Sequence, residues 1–524
     1  LGREGTSYLY GDSGTTGTYR FGELIVEAGG EITVTKEATQ TNNKIDIQAD
    51  TIRVRGGGHV HAVHINIESA TLIVDDLGRI VGDFHSIPCI TGDGYSGSGA
   101  SGAGHGGYGG RGNGQSRTGM AMGQLFDPVD RGCHGGGNSG GRGGGIIRLM
   151  VTQMLQNDGH IICNGENGKA GGGGGSGGSI NIKGNLIKGY GRFQAIGGDG
   201  SISELSVGGA GSGGRMALYF ADNKTFSGYW DMYGGLAGGP GAGNGSPGTA
   251  FFYHSGFNHS TLLINNNNRG PGGNSGIIKD YSDLSQDEGH AWFLSQHGNH
   301  VLAGNGSYHF NELQIYGRAH LAVLTNPVYS QATLLFDNMI GDRTGAIHVS
   351  KNQVMDLLRD KIDLPFSVHV YDGGYLGMAP DTNIHGVDIF LNGTLANVKN
   401  LTIHHNGKLW LNKQGHTLFE SASFYAFDFV HVKNKGYLHM ISDPVSEPGI
   451  SFTTVGLTID GGGLVRGTHL YFYSTNITID AGGVISVDGL GYELADGTPT
   501  YTNGSFRVGL HGQINPGIGF TGSA

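Results

Sequence analysis

The sequence has 524 residues, including 103 glycines; 14% of its residues are charged, and the formal net charge is −11. The lack of an 18-residue apolar run argues against a membrane-spanning helix, and the acidic balance argues against a nucleic-acid-binding protein. The glycines have no three-residue period and there are only 12 prolines, which excludes collagen. With 22 tyrosines and 22 phenylalanines, the composition is that of a large folded protein rather than a disordered one.

The first repeated pattern is short and begins near the N-terminus. Residues 24–34 read LIVEAGGEITV, which is two alternating apolar segments on either side of a glycine turn. Period-2 alternation predicts a strand with one buried face, and glycine supplies the positive φ of a corner. The recurrences lie roughly 20–30 residues apart within each group, about one coil of a parallel β-solenoid. The pattern recurs at 52–62, 72–81, 401–411, 429–440, 457–465 and 477–487.

A second, longer repeat occupies the glycine-rich zone, residues 92–249, which holds 53 of the glycines. Strand-like segments follow a glycine run at residues 146, 179, 215 and 249, which are 33, 36 and 34 residues apart. A second, short strand-like segment lies between each two consecutive segments of this series. A flexible linker would not be interrupted by Ile, Leu, Phe and Tyr at such regular intervals.

The glycine runs favour packed, extended helices of the polyglycine II type, whose backbone groups hydrogen-bond between neighbouring chains. Residues 171–175, five glycines in succession, are the purest example. The alternative interpretation is a set of exposed loops at one end of the solenoid. The fold class predicted is therefore all-β, a parallel β-helix or β-solenoid with an inserted polyglycine-II-like region.

Composition shifts divide the chain into four parts. We expect N-terminal solenoid coils at 1–91, the glycine-rich repeat at 92–260, a linker at 261–300 and C-terminal solenoid coils at 301–524. One helix is predicted from Ser350 to Ile362, because Ser350 suits an N-cap and Val354, Leu357, Leu358 and Ile362 form an apolar stripe.

Three cysteines are too few for a disulfide scaffold. Cys89 and Cys133 can pair, because both border glycine loops, and the alternative is a buried thiol at each position. Eight N-glycosylation sequons predict a secreted glycoprotein. They are Asn223, Asn244, Asn258, Asn305, Asn392, Asn400, Asn476 and Asn503.

The chain starts at Leu1 rather than Met, so we expect a mature secreted chain or a segment of a longer one. Residues 66–105 and 474–524 follow the same order of strand, glycine corner, strand and small-residue tail. This parallel predicts a unit of roughly 400 residues that recurs in a longer polypeptide or in copies joined end to end.

The corner motif resembles right-handed parallel β-helix proteins of the pectin-lyase-like architecture. The glycine-rich zone is similar to the polyglycine II layers of phage tail adhesin tips and to the glycine-rich domain of anaplastic lymphoma kinase. Together they resemble tandem modules of large extracellular surface proteins. The resemblance transfers no catalytic residues.

Candidate chemistry is sparse. The one adjacent pair of aspartates, Asp75-Asp76, lies at a strand-to-corner turn and is expected to be a solvated turn rather than an acid–base pair. His59 and His61 share a strand face, whereas His404 and His405 are expected to point to opposite faces. Trp410, Tyr437 and Tyr471 are expected to pack across strands rather than bind sugars. We therefore predict no catalytic, cofactor or metal site.

The leading hypothesis is a non-enzymatic structural module of a secreted filament, surface hair or matrix. Its partners would be copies of itself, or tandem repeats, and N-linked glycans, because solenoid ends leave open strand edges that add further copies. The alternatives are an adhesin or glycan-binding module and, third, a polysaccharide lyase or hydrolase.

Overall fold

The computed structural model describes the following residues of the chain: 5–9, 18–34, 45–82, 100–113, 118–119, 121–270, 290–293, 307–323, 332–349, 353–357, 359–371, 373–412, 424–441, 450–467 and 470–487. Regular structure in these ranges is entirely β-strand, and no helix there is suited to crossing a bilayer. The strands form two compact units. Unit 1 comprises Leu1–His300 with Phe310–Ala322, and unit 2 comprises Val301–His309 with Val323–Ala524.

Unit 1 winds mainly through two parallel sheets. Its long-strand sheet consists of β2 (Thr18–Val26), β4 (Ile45–Val54), β6 (His64–Val74), β8 (Ile146–Asn157), β10 (Ser179–Lys188), β12 (Arg215–Phe220), β14 (Thr249–His254), β15 (His259–Asn265) and β17 (Ser307–Tyr316), in that order. Its short-strand sheet consists of β1 (Gly5–Leu9), β3 (Gly30–Val34), β5 (His59–Ala62), β7 (Arg79–Val81), β9 (His160–Ile162), β11 (Arg192–Gln194) and β13 (Tyr229–Asp231). Only the β14–β15 pair is antiparallel among the pairings described for this unit. Two further short strands are β16 (His290–Phe293) and β18 (His320–Val323).

The core of unit 1 is built from columns of equivalent residues in successive coils. In the short-strand sheet, Ile32, Val60, Ile80, Ile161 and Phe193 stand in register, and each is at most 2% exposed. Full burial of such side chains contributes roughly 1.5–3 kcal/mol each. Period-2 alternation in the sequence therefore becomes a continuous apolar interior along the coils.

The corners of unit 1 depend on glycine at particular positions. Gly29 and Gly57 have φ of 76° and 78°, in the left-handed region that glycine adopts without strain. The next corner has Leu77 at the equivalent place with φ of 63°, and its side chain is 62% exposed. Gly78 is required for space, because an added Cβ would lie 2.7 Å from the Val54 carbonyl oxygen of the preceding coil.

Unit 2 winds through three parallel sheets. The first contains β19 (Ala332–Gly341), β21 (Gln353–Leu357), β24 (Tyr375–Gly377) and β27 (Thr394–Ala396). The second contains β20 (Ala346–Val349), β23 (Ser367–Val370), β26 (Asp388–Leu391), β29 (Lys408–Asn412), β31 (Tyr437–Ile441), β33 (Leu464–Gly467) and β35 (Val484–Ser486). The third contains β22 (Lys361–Asp363), β25 (Asp381–His385), β28 (Asn400–His404), β30 (Phe424–Val432), β32 (Ile450–Ile459) and β34 (Leu470–Ile479). The fold is therefore an all-β parallel solenoid, as the sequence predicts.

One local prediction is wrong. The segment predicted as a helix from Ser350 contains strands β21 and β22, because Met355 and Leu357 alternate into the core and β21 pairs with β19. Tertiary pairing overrides a weak helical propensity here. The predicted linker begins as strand β15, which pairs in parallel with β17, so residues 261–265 belong to the sheet.

Candidate functional site

The most distinctive feature of unit 1 is a bundle of extended glycine-rich segments, the glycine lattice. After β9, β11 and β13 the chain leaves the sheets as one extended segment and returns as a second before the next long strand. A longer excursion between β7 and β8 adds further segments. The lattice comprises residues 100–113, 132–136, 140–145, 163–168, 172–178, 195–201, 208–214, 232–238 and 243–248.

The hydrogen bonds of residues 172–178 have a period of three. The N–H groups of Gly173 and Ser176 donate to segment 132–136. The N–H groups of Gly174 and Gly177 donate to segment 208–214, and those of Gly175 and Gly178 donate to segment 163–168. Successive donors thus point in three directions around the segment axis, which is the geometry of a threefold polyglycine II helix.

The carbonyl groups of the same segment point to three other neighbours. Gly172 and Gly175 accept from Ser201 and Gly198, Gly173 and Ser176 accept from Gly141 and Gly144, and Gly174 accepts from Ala103. Residues 172–178 are therefore bonded to six surrounding segments, and the N–H groups of 208–214 donate to three neighbours with the same period of three. This arrangement satisfies buried backbone groups without a β-sheet, and it favours the packed-helix interpretation over exposed loops.

The lattice spacing requires glycine, since neighbouring backbones occupy the space of a side chain. An added Cβ at Gly174 would lie 2.0 Å from the Gly198 oxygen, and one at Gly211 would lie 2.0 Å from the Gly175 oxygen. Buried serines are exceptions that complete the bonding, and two of them accept hydrogen bonds from backbone N–H groups of neighbouring segments. The Ser176 hydroxyl accepts from the Cys133 N–H at 2.8 Å, and the Ser212 hydroxyl accepts from the His105 N–H at 2.8 Å.

Two ionisable side chains are enclosed where the lattice meets the long-strand sheet. Arg215 is fully buried and donates from Nε to the Met122 carbonyl at 2.8 Å and from Nη1 to Thr249 Oγ1 at 2.9 Å. His105 is also fully buried, with Nδ1 2.6 Å from the Gly177 oxygen. Burial, and then the charge of Arg215, lower the pKa of His105 to about 4, so its ring is neutral at pH 7.

The sequons fall in different environments. Asn258, Asn400 and Asn476 are exposed, whereas Asn223 and Asn392 are half-buried. Asn244 is held by the lattice, because its Oδ1 accepts from the Ala237 N–H at 2.8 Å and its Nδ2 donates to the Gly270 oxygen at 3.0 Å. Asn305 and Asn503 lie outside the described residues. Glycosylation remains a prediction at all eight.

The cysteines are in two states. Cys133 is disulfide-bonded, and Cys163 is a free, buried thiol. Cys89, with which the sequence proposes a pairing, lies outside the described residues.

The carboxylate pair Asp75-Asp76 is at the corner after β6. Asp75 accepts from Arg53 Nε at 2.9 Å and from Arg53 Nη2 at 3.1 Å. This half-exposed ion pair joins adjacent coils, and it gives Asp75 a structural partner. His59 and His61 lie on β5 as expected, both half-buried.

An aromatic ladder runs along the outer face of the second sheet of unit 2. It consists of His348, His369, Phe390, Trp410 and His439, one from each of five successive strands. The ring centroids of Trp410 and His439 are 3.9 Å apart with an interplanar angle of 11°, and those of Phe390 and Trp410 are 5.6 Å apart. Since the ring faces cover one another, the ladder performs cross-strand packing, as predicted for Trp410, and offers little face to a sugar.

Three imidazoles converge at a corner of unit 2 that sequence analysis did not identify. His385 ends β25 and His404 ends β28, directly in register, and their ring centroids are 4.6 Å apart. His405 has φ of 49°, so it does not continue the strand alternation, and its Nδ1 lies 2.7 Å from that of His404. The expectation that these adjacent histidines diverge is thus wrong. Each of the three offers one ligand atom, all within 4.8 Å of one another.

Comparisons with known proteins identify no family for this chain. No family model matches the chain, and no curated protein does. A solved structure of a TibC-catalysed hyper-glycosylated TibA fragment matches over 90% of this chain and 98% of that chain, with 10% sequence identity and a TM-score of 0.18. A likeness at this TM-score carries no argument, so the fold rests on strand pairing.

Proposed function

We propose that this chain is a rigid structural module of a secreted, glycosylated extracellular filament, surface hair or matrix. The observation that carries the proposal is the six-neighbour bonding of residues 172–178. Because of this bonding, the glycine-rich segments form a fixed brace on the solenoid coils of unit 1 rather than a set of mobile loops. Parallel stacking alone makes a repeat protein quasi-one-dimensional, and the brace adds resistance to bending.

End-to-end assembly is supported by the last described coil of unit 2. Strand β34 pairs only with β32 among the described residues, at the end of its sheet. The equivalents of Ile477 and Ile479 in β32, Leu457 and Ile459, are at most 1% exposed, whereas Ile477 and Ile479 themselves are only half-buried. A further coil from another copy would cover this apolar face and pair with the edge of β34 that has no partner among the described strands.

Electron microscopy and sedimentation of the purified chain test the proposal. We expect concentration-dependent linear assemblies that Ile479→Lys abolishes, because a charge would then face the added coil. The matched control is Thr475→Lys, which places the same charge at an exposed position of the same strand, keeps the Asn476 sequon and should leave assembly unchanged. Monodisperse monomers at high concentration, or equal behaviour of the two variants, would contradict end-to-end assembly.

A second candidate function, glycan binding by an adhesin module, is favoured by exposed rings near the same end. Tyr471 and Tyr473 on β34 are 46% and 59% exposed, and Phe429 on β30 is 56% exposed. Their ring faces are more open than those of the ladder. Selective glycan-array binding that a Tyr471→Ala, Tyr473→Ala double variant loses would favour this function over a purely structural one.

The structural proposal assigns no catalytic activity to the chain. Release of reducing ends from a panel of polysaccharides would contradict it.

A further inference from the structure

We propose that His385, His404 and His405 bind one divalent transition-metal ion of the Zn²⁺ type. Three imidazole nitrogens within 4.8 Å of one another are close to the separation of ligands around one tetrahedral zinc. Zinc–nitrogen bonds of about 2.0–2.1 Å place ligand nitrogens roughly 3.3 Å apart, so the more distant nitrogens must approach one another by up to about 1.5 Å.

The backbone fixes the three ligands independently of any ion. His385 and His404 are register partners on the parallel strands β25 and β28, so strand pairing fixes the backbone positions from which both rings project. His405 is held in the following turn, where its N–H donates to the Asn434 oxygen at 3.3 Å and Asn406 also has a positive φ, 68°. The left-handed turn brings the third imidazole to the side of the other two.

The donor set selects the class of ion. Three neutral nitrogen ligands suit zinc, copper or nickel, whereas calcium and magnesium prefer oxygen ligands. The charged groups that act on His404 include Asp363 and Lys433, and Arg343 Nη2 lies 3.8 Å from Asp363 Oδ2. Because Arg343 and Lys433 offset the carboxylate, coordination rather than net negative charge would have to hold the ion.

An ion at this corner would join two successive coils of unit 2. Because it would bind only where the three rings are assembled, it would stabilise the folded state, and the stabilisation would grow with the logarithm of the ion concentration above the dissociation constant. Three protein ligands leave a fourth position for water or for a donor from another molecule.

Calorimetric titration of the chelator-treated chain with Zn²⁺ alone tests the site. We expect one equivalent to bind and the melting temperature to rise. His405→Asn removes a ligand while keeping a residue that accepts a left-handed turn, and His385→Ala removes another. Each should weaken binding at least about 100-fold, more than loss of a supporting group costs.

The control is the His59→Ala, His61→Ala double variant, which removes two histidines from one strand face of unit 1 and should bind zinc as the unmodified chain does. Co²⁺ in place of Zn²⁺ should give the intense visible absorption of a tetrahedral site, a readout that does not depend on any variant folding. The absence of stoichiometric binding, or binding that survives both His385→Ala and His405→Asn, would overturn the proposal.

Discussion

Within the glycine lattice, the absence of a side chain on glycine decides how closely neighbouring segments can pack. Backbone carbonyls of neighbouring segments stand where a Cβ would be, so the role of glycine there is to permit close approach rather than an unusual φ. Gly174 is an example. Its φ lies outside the left-handed region, yet an added Cβ would lie 2.0 Å from the Gly198 oxygen. Such a collision involves backbone on both sides and cannot be relieved by turning a side chain.

Gly174→Ala should therefore lower the free energy of unfolding by more than about 3 kcal/mol, because overpacking would displace two bonded segments. The measurement is chemical denaturation followed by circular dichroism. Gly22→Ala is the control, since an added Cβ there meets nothing within 4 Å. A Gly174→Ala variant as stable as Gly22→Ala would contradict the spacing described.

His105 should make the protein sensitive to acid. Its folded pKa is about 4, below the ordinary value of 6.5, so the unfolded chain binds a proton that the folded chain refuses between these values. The contribution to stability is fully present above pH 6.5 and is lost as the pH falls to about 4, amounting to on the order of 3 kcal/mol.

Denaturation at successive pH values measures this loss. His105→Asn cannot take up the proton, so its stability should fall less steeply between pH 6.5 and 4. His320, whose pKa burial also lowers to about 4, remains in both proteins and contributes equally. Parallel pH profiles would contradict the assignment to His105.

At the scale of elements, strands could be predicted well and their partners poorly. The strands β8, β10, β12 and β14 begin at 146, 179, 215 and 249, as the glycine-to-apolar transitions predict. By contrast, the glycine runs predict packed polyglycine II segments but not which segments become neighbours, because no side chain distinguishes one neighbour from another. The three-histidine cluster was missed for a related reason: the left-handed turn at His405 reverses the alternation on which the prediction rested.

The aromatic ladder is a stabilising element of unit 2. Trp410→Ala removes stacking on Phe390 and His439, and should lower the free energy of unfolding by about 2 kcal/mol. Thermal denaturation checks this. Tyr473→Ala, which truncates a 59% exposed ring, should change stability by less than about 0.5 kcal/mol. Equal effects would mean that ring stacking contributes nothing specific.

At the scale of the molecule, the two units use different solutions to the same problem. Unit 1 combines two sheets with a glycine lattice, whereas unit 2 closes its middle coils with three sheets. In both units, backbone N–H and C=O groups form hydrogen bonds with neighbouring coils, and neither unit contains helices among the described residues. This repetition is the physical basis for proposing a structural role.

Glycan occupancy should follow exposure across the molecule. We expect glycans on Asn258, Asn400 and Asn476, which are exposed, and none on Asn244, whose amide is bonded within the lattice. Glycopeptide mass spectrometry of native material gives the occupancy of each site. A fully occupied Asn244 would show that the lattice is open when glycans are added, and an unglycosylated protein would contradict a secreted glycoprotein.

Amide hydrogen exchange of the intact chain is the most direct test of the glycine lattice. If residues 173–178 and 209–214 donate to fixed neighbours as described, their amides should exchange as slowly as those of β8 and β10, through global unfolding. Exchange of these glycine amides at the rate of an unstructured peptide, while β8 and β10 remain protected, would show that the segments are mobile loops and would contradict the braced-module account.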